Sequence, residues 1–306
     1  MQKIIVVGSS NTDMIVKTVR LPASGETIAD GCFSMNLGGG VSQAVAAARL
    51  GGEVAVVTKL GVDGFGEFAF EQFKKEQIST EFVSFDSYVP SGVALINVNK
   101  EGESCTVVSP GANGYILPID AKAALETLRR DDIVVLQLAI PMETVAYVAA
   151  TAAQRGAKVI LSPVPAQKLS ANILENLYLI TPNEAEAAIL SDMEISDICS
   201  VRKAAAKLCA AGVKNVIITM GCKGAYLYST EHAELIEGNR VKGVDIEVAS
   251  DSFNGALAVA ISENKGLKEA IVFACASASI SVSGMVTQAS LPYRNEVEEY
   301  MTFQEC

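Results

Sequence analysis

Histidine is almost absent from this chain: in 306 residues only His232 occurs, within the polar stretch STEHAE. A single histidine in a solvated loop builds neither a Ser-His-Asp triad nor a multi-histidine metal site, so a general base here is a carboxylate, Lys or Cys. The seven cysteines (Cys32, Cys105, Cys199, Cys209, Cys222, Cys275, Cys306) are odd in number and never spaced C-x-x-C. They read as reduced thiols, not as a disulfide frame or a zinc site. Basic residues are scarce too: 24 Lys and Arg against 35 Asp and Glu leave a net charge of −11. That balance argues against a nucleic-acid partner, which is bound through excess positive charge, although a helix N-terminus can still bind a small anion locally. No run of about eighteen uncharged apolar residues is present, nor a basic segment leading into a long apolar one. The expectation is a soluble, cytoplasmic protein without membrane contact.

What is present is apolar content, half of the residues, enough for a large buried core. Short β-branched runs alternate with helical patterns. IIVVG at Ile4 to Gly8, EVAVVTKLG, DIVVLQL from Asp132, AKVILSP, NLYLITPN and NVIITMG read as strands. SQAVAAARLG, FGEFAFEQFKKEQ, METVAYVAATAAQRG and VRKAAAKLCAAG read as helices. This is the signature of βαβ units and a mostly parallel sheet. Two regions, about residues 12–36 and 91–108, instead give short strands joined by turns, with NKEG a hairpin signal. They predict a small second sheet inserted at two places into one α/β domain spanning residues 1–306. It would lie as a lid over the strand ends, where ligands of open α/β sheets bind.

In EVASDSFNG, Asp251 precedes the apolar, helix-favouring run ALAVAISE. It is either a helix N-cap, a position Asp favours, or a catalytic acid at a helix N-terminus where amides would also bind an anion. Asn11 and Asp13 follow the first strand, as turn residues or as acceptors for vicinal hydroxyls. PNEAE reads as a helix start.

Taken in order, SSNTDM, SGET (Ser24 to Thr27), QAVAAARLGG, GVDGFG, SGVALI, PGAN (Pro110 to Asn113), TPNEAE, TMGCKGA and DSFNGALAVA resemble the PfkB family of ATP-dependent sugar kinases, of ribokinase type. The similarity runs from the first strand to LPYR at Leu291 to Arg294. It implies a ribokinase-like three-layer α/β/α fold with a mostly parallel central sheet, a small β-sheet lid used as a homodimer contact, and phosphoryl transfer from ATP with Mg2+. Asp251 resembles the family's general base, and the amides of Ala249 and Ser250 its anion cradle. Asn11, Asp13, Gly38, Gly39 and Ser42 resemble sugar contacts. Asn183, Thr219, Gly221 and Gly224 resemble nucleotide contacts. Glu186 matches a residue that holds Mg2+ through water, and Asp245 one that helps to hold a monovalent cation such as K+.

The chain departs from the family pattern at ligand-facing positions. In place of Gly-Gly-Lys-Gly-Ala-Asn-Gln it reads Leu37-Gly38-Gly39-Gly40-Val41-Ser42-Gln43, so a lysine becomes Gly39 and an asparagine Ser42. Ala139 stands for a glutamate, Ser250 for a glycine, and SGMVTQ at Ser283 to Gln288 for a Lys-Gly segment near the cation. The resemblance implies a kinase for ribose or a related pentose. The departures leave open a degenerate relative that binds a nucleotide, metabolite or protein partner, and a nucleoside kinase.

Overall fold

The computed structural model describes residues 1–238, 246–283 and 291–304, with only the backbone of residues 246, 247, 283 and 304. The predicted cation-site residue Asp245 and the segment SGMVTQ beyond Ser283 lie outside the described residues. Along the chain, β1 (Ile4–Val7) leads into β2 (Asn11–Lys17) and β3 (Cys32–Gly38), then α1 (Ser42–Arg49), β4 (Val54–Gly61), α2 (Gly64–Lys75) and β5 (Ser79–Asp86). After β6 (Gly92–Val98) and β7 (Ser104–Ser109) the alternation resumes. It continues with α3 (Pro118–Glu126), β8 (Ile133–Leu136), α4 (Met142–Gln154), β9 (Lys158–Leu161), α5 (Ala171–Leu174) and β10 (Leu179–Ile180). The last third holds α6 (Glu184–Ser191), α7 (Ile198–Ala210), β11 (Asn215–Thr219), β12 (Gly224–Ser229), β13 (Ala233–Glu237), α8 (Ile246–Ser262), α9 (Leu267–Ser283) and α10 (Arg294–Gln304).

Among the described residues nine strands form one sheet in the order β13-β12-β11-β10-β9-β8-β1-β4-β5. Pairing is parallel from β11 through to β5, and antiparallel only for the terminal β11-β12-β13. The runs IIVV of β1 and IVVL of β8 are buried along their whole length, as parallel strands covered on both faces must be. Alternation divides β1: Ile4 and Val6 pack with α1, α8 and α9, whereas Ile5 and Val7 pack with α3, α4 and α7. The result is the three-layer arrangement expected from the sequence.

That division also locates a binding crevice. The neighbours β1 and β8 are followed by helices on opposite faces, α1 on one side and α4 on the other. Such a switch point opens a crevice at the carboxyl ends of the strands. Over it lies a four-stranded sheet in the order β3-β2-β6-β7, built from the two segments that interrupt the α/β alternation. Asn99-Lys100-Glu101-Gly102 closes the β6-β7 hairpin, with Gly102 N–H donating to Asn99 O over 3.1 Å.

Side chains pin the small sheet where the chain crosses into it. Asp63, the N-cap of α2, accepts from the backbone N–H of Ser91 and of Gly66 at 2.8 Å each, and from Ser91 Oγ at 2.8 Å. Burial alone would raise the Asp63 carboxyl, but these hydrogen bonds prevail and hold it below the usual carboxylate range. At the other crossing Asn113 accepts from Ser10 N–H at 2.8 Å and donates to Ser10 O at 3.1 Å and to Asn11 Oδ1 at 2.8 Å.

Candidate active site

The crevice holds a cavity of about 340 Å³ roofed by the small sheet. Residues two apart in each strand supply the roof: Asn11, Asp13 and Ile15 of β2, Ala94 and Ile96 of β6, Thr106 and Val108 of β7. This is the period of a strand with one face turned inward. The floor comes from Ser9 after β1, the turn Gly39 to Gln43 into α1, Gln137 and Ala139 after β8, and Val248, Ser250 and Asp251 of α8.

Two carboxylates therefore line one cavity. Asp13 lies across the β2-β3 pair from Asn36, and its carboxylate packs against Gly38, where any Cβ would overlap it. Asp251 Oδ1 accepts from Gln43 Nε2 at 3.0 Å, and Gln43 Oε1 accepts from Gln137 Nε2 at 2.9 Å. Asn11 presents its amide under a fixed orientation. Ser10 backbone sets which end of Asn113 donates, and Asn113 Nδ2 then claims Asn11 Oδ1, so Asn11 Nδ2 turns the other way, towards Gly39.

Gly39 has φ +78°, in the left-handed region, and a Cβ there would sit 2.9 Å from Ser9 Oγ and 3.0 Å from Ser9 O. The position suits glycine and disfavours any longer side chain. Ser42 is the buried first residue of α1, its N–H donating to Gly39 O at 2.9 Å. Ala139 is exposed to the cavity and brings no polar group.

The structure corrects the expected start of the helix that carries Asp251. α8 begins at Ile246, so Asp251 is its sixth residue and neither caps nor begins it. Ser250 and Asp251 lie within the helix, where backbone N–H groups bond to carbonyls four residues earlier. The physical reason is local: Ile246 to Ser250 contains neither Gly nor Pro, and Ser in place of Gly removes the residue most ready to leave the helical conformation. The Ser250 amide therefore lies within the helical ladder, while the Asp251 side chain still faces the cavity.

The remaining predicted contacts gather at the ends of β10 and β11, apart from the cavity lining. Asn183 and Thr219 form a parallel bridge, and Thr219 N–H donates to Pro182 O at 2.9 Å. Gly221 and Gly224 take φ of +56° and +101° in the turn from β11 to β12. Asn183 caps α6 in a capping box: its Oδ1 accepts from Glu186 N–H, and Glu186 Oε2 accepts from Asn183 N–H, both at 2.9 Å. Asn183 Nδ2 also donates to Glu186 Oε1 at 2.8 Å. Burial pushes the Glu186 carboxyl above its ordinary range, against the lowering effect of the Asn183 N–H. A buried relay ties this group to the cavity: Thr181 Oγ1 donates to Asn254 Oδ1 at 2.6 Å, and Asn254 Nδ2 to Ser250 O at 2.9 Å.

Comparison with known proteins fits this geometry. The signature of pfkB family carbohydrate kinases matches residues 1–294. This chain belongs to that family. It is 36% identical over 297 residues to the ribokinase of Haemophilus influenzae, covering 97% of each chain. The crystal structure of the ribokinase from Thermotoga maritima superposes with TM-score 0.89 at 37% identity, covering 99% of this chain and all of that one. The Arabidopsis thaliana ribokinase complexed with ribose and ATP gives TM-score 0.87 at 28% identity, covering 99% of each chain. The chain is thus a carbohydrate kinase, a phosphotransferase with an alcohol acceptor.

The cavity and the β10/β11 group are connected through α8 by the Thr181–Asn254–Ser250 hydrogen bonds. Sequence reasoning named Asp251, Asn11, Asp13, Gly38, Gly39 and Ser42, and all lie at the cavity or its edge. Gln43, Gln137, Asn113 and Asn254 are not among them, although Gln43, Asn113 and Asn254 stand inside the motifs QAVAAARLGG, PGAN and DSFNGALAVA. A polar Gln137 within the apolar run IVVLQLAI was the available signal.

Proposed function

We propose that this chain phosphorylates ribose or a related pentose at the expense of ATP, with Asp251 as general base. The observation that carries this reading is the pairing of Asp251 with Asp13 in one roofed cavity at the switch point. Asp13 and Asn11 offer acceptors and a donor to sugar hydroxyls. Asp251 takes the proton of the acceptor hydroxyl, whose oxygen then bonds to the terminal phosphorus of ATP as the bond from that phosphorus to ADP breaks. The nucleotide lies along the ends of β10 and β11, against Asn183, Thr219, Gly221 and Gly224. The roof excludes water from the transfer.

Glu186 fits the expected magnesium only through water. Both of its oxygens accept from Asn183, and among the described residues no group of three His, Cys, Asp or Glu could hold a metal ion. That is the arrangement of an ion carried mainly by waters and phosphate oxygens. When bound, Mg2+ would neutralise charge on the phosphates. A role for K+ rests on Asp245, outside the described residues.

We read the small sheet as a lid and its outer face as a homodimer contact. Phe33, Met35, Leu95 and Val107, 61%, 38%, 50% and 64% exposed, share the face turned away from the cavity. An apolar face of that extent marks an interaction surface. Among the described residues no helix is long and apolar enough to cross a membrane. ADP release with magnesium-ATP, with and without potassium, across ribose, 2-deoxyribose, other pentoses and nucleosides tests the reading. Pentose-dependent release supports it; release with none of the sugars overturns it.

A further inference from the structure

Gln43 and Gln137 are almost fully buried, 2% and 3% exposed, and the function proposed above gives neither a role. We infer that they form an amide relay that holds the Asp251 carboxylate ionised and oriented, as positioning residues for the base. The inference rests on Asp251 being that base.

The polarity of the relay has one consistent solution. An ionised carboxylate only accepts hydrogen bonds, so Gln43 must turn its NH2 group to Asp251 Oδ1. Its carbonyl then faces Gln137, which must present its own NH2. Gln137 Oε1 is left pointing the other way, buried and without a hydrogen-bond partner among the described residues. It lies against the backbone of Gly8 and Gly40, where a Cβ at either glycine would overlap it. A residue kept only for packing after β8 would be apolar, like its neighbours Leu136 and Leu138. Retaining a glutamine with an unpaired carbonyl, and two glycines to accommodate it, makes sense if its other end serves the carboxylate.

The chemical consequence follows from which form of Asp251 the relay supports. Donation to Oδ1 favours the charged form, lowering the pH at which the base becomes available. Among the described residues lining the cavity, the other titratable group is Asp13 of β2, whose charge disfavours a charged Asp251 and opposes the relay. Helix α1 and the segment after β8 bring no titratable side chain to it. From α9, packed along α8, Cys275 is held uncharged by burial, its thiol pushed up to about 12. Lys268 and Glu269 are engaged with Glu234 and Lys265.

The test is the pH profile of kcat/KM for the sugar in the full-length enzyme with magnesium-ATP, for wild type, Gln43→Met, Gln137→Met and Asp251→Asn. Methionine keeps length and volume and removes the amide. The acid limb should move up by about one pH unit in Gln43→Met, a roughly tenfold loss on the acid side. Gln137→Met should move it in the same direction by less, with KM for ATP unchanged in both. Thermal melting establishes that each variant is folded, and if Gln43→Met is not, Gln137→Met decides alone. Folded variants with the wild-type acid limb, beside an inactive Asp251→Asn, overturn the relay and leave the base standing. An active Asp251→Asn overturns the base and, with it, the relay.

Discussion

At Gly39 the family pattern and the backbone disagree. Where the family pattern expected from the sequence has lysine, this chain has a glycine at φ +78° with Ser9 beside it. Returning a lysine there should cost about 1–2 kcal/mol, because L-residues resist the left-handed conformation. Ser42 and Ala139 carry no such restriction, and both line the cavity. We therefore expect Ser42→Asn with Ala139→Glu to lower KM for ribose several-fold, and the further change Gly39→Lys to lower the melting temperature. An unchanged KM in a folded double variant would mean that these positions do not face the sugar. Asp13, Asn11 and Ser42 were legible as site residues because they sit in short motifs. Gln43, Gln137 and Asn113 act across 208, 94 and 103 residues of sequence, and contacts at that separation leave no local pattern.

Among the elements, the strands were the most legible. Runs such as IIVV and IVVL have the continuous apolar character of strands buried on both faces, and NKEG marked a hairpin. The start of α8 was not. The position of Asp251 ahead of the apolar run ALAVAISE suggested a helix opening there, whereas the local sequence IEVAS offers nothing to stop a helix earlier. The difference has a functional consequence, since amides within the helical ladder cannot also bind a phosphoryl oxygen. Ser250→Gly should loosen this first turn, lowering stability by about 0.5–1 kcal/mol while raising kcat as the amides become available. A melting temperature that falls with no change in kcat would show that the wild-type turn already opens during turnover. Under the proposed function the capping box of Asn183 and Glu186 has a similar double use: the same side chains start α6 and would stand beside the nucleotide.

For the whole molecule, the two sheets divide the work. The large one sets the switch point between β1 and β8 and fixes Gln137 and α8 around it. The small one places Asn11 and Asp13 above, held at its crossings by Asp63 and Asn113. If its outer face is the homodimer contact proposed above, Phe33→Lys with Val107→Lys should convert a dimer to monomers in sedimentation velocity, and a wild-type chain that is monomeric at tens of micromolar would contradict the dimer. The central claim is that Asp251 deprotonates a sugar hydroxyl in this cavity. It is tested most directly by sugar-dependent ADP release from magnesium-ATP, compared between wild type and Asp251→Asn. Pentose-dependent turnover in the wild type should fall at least a hundredfold in a folded Asp251→Asn; comparable turnover in both would mean that Asp251 is not the base.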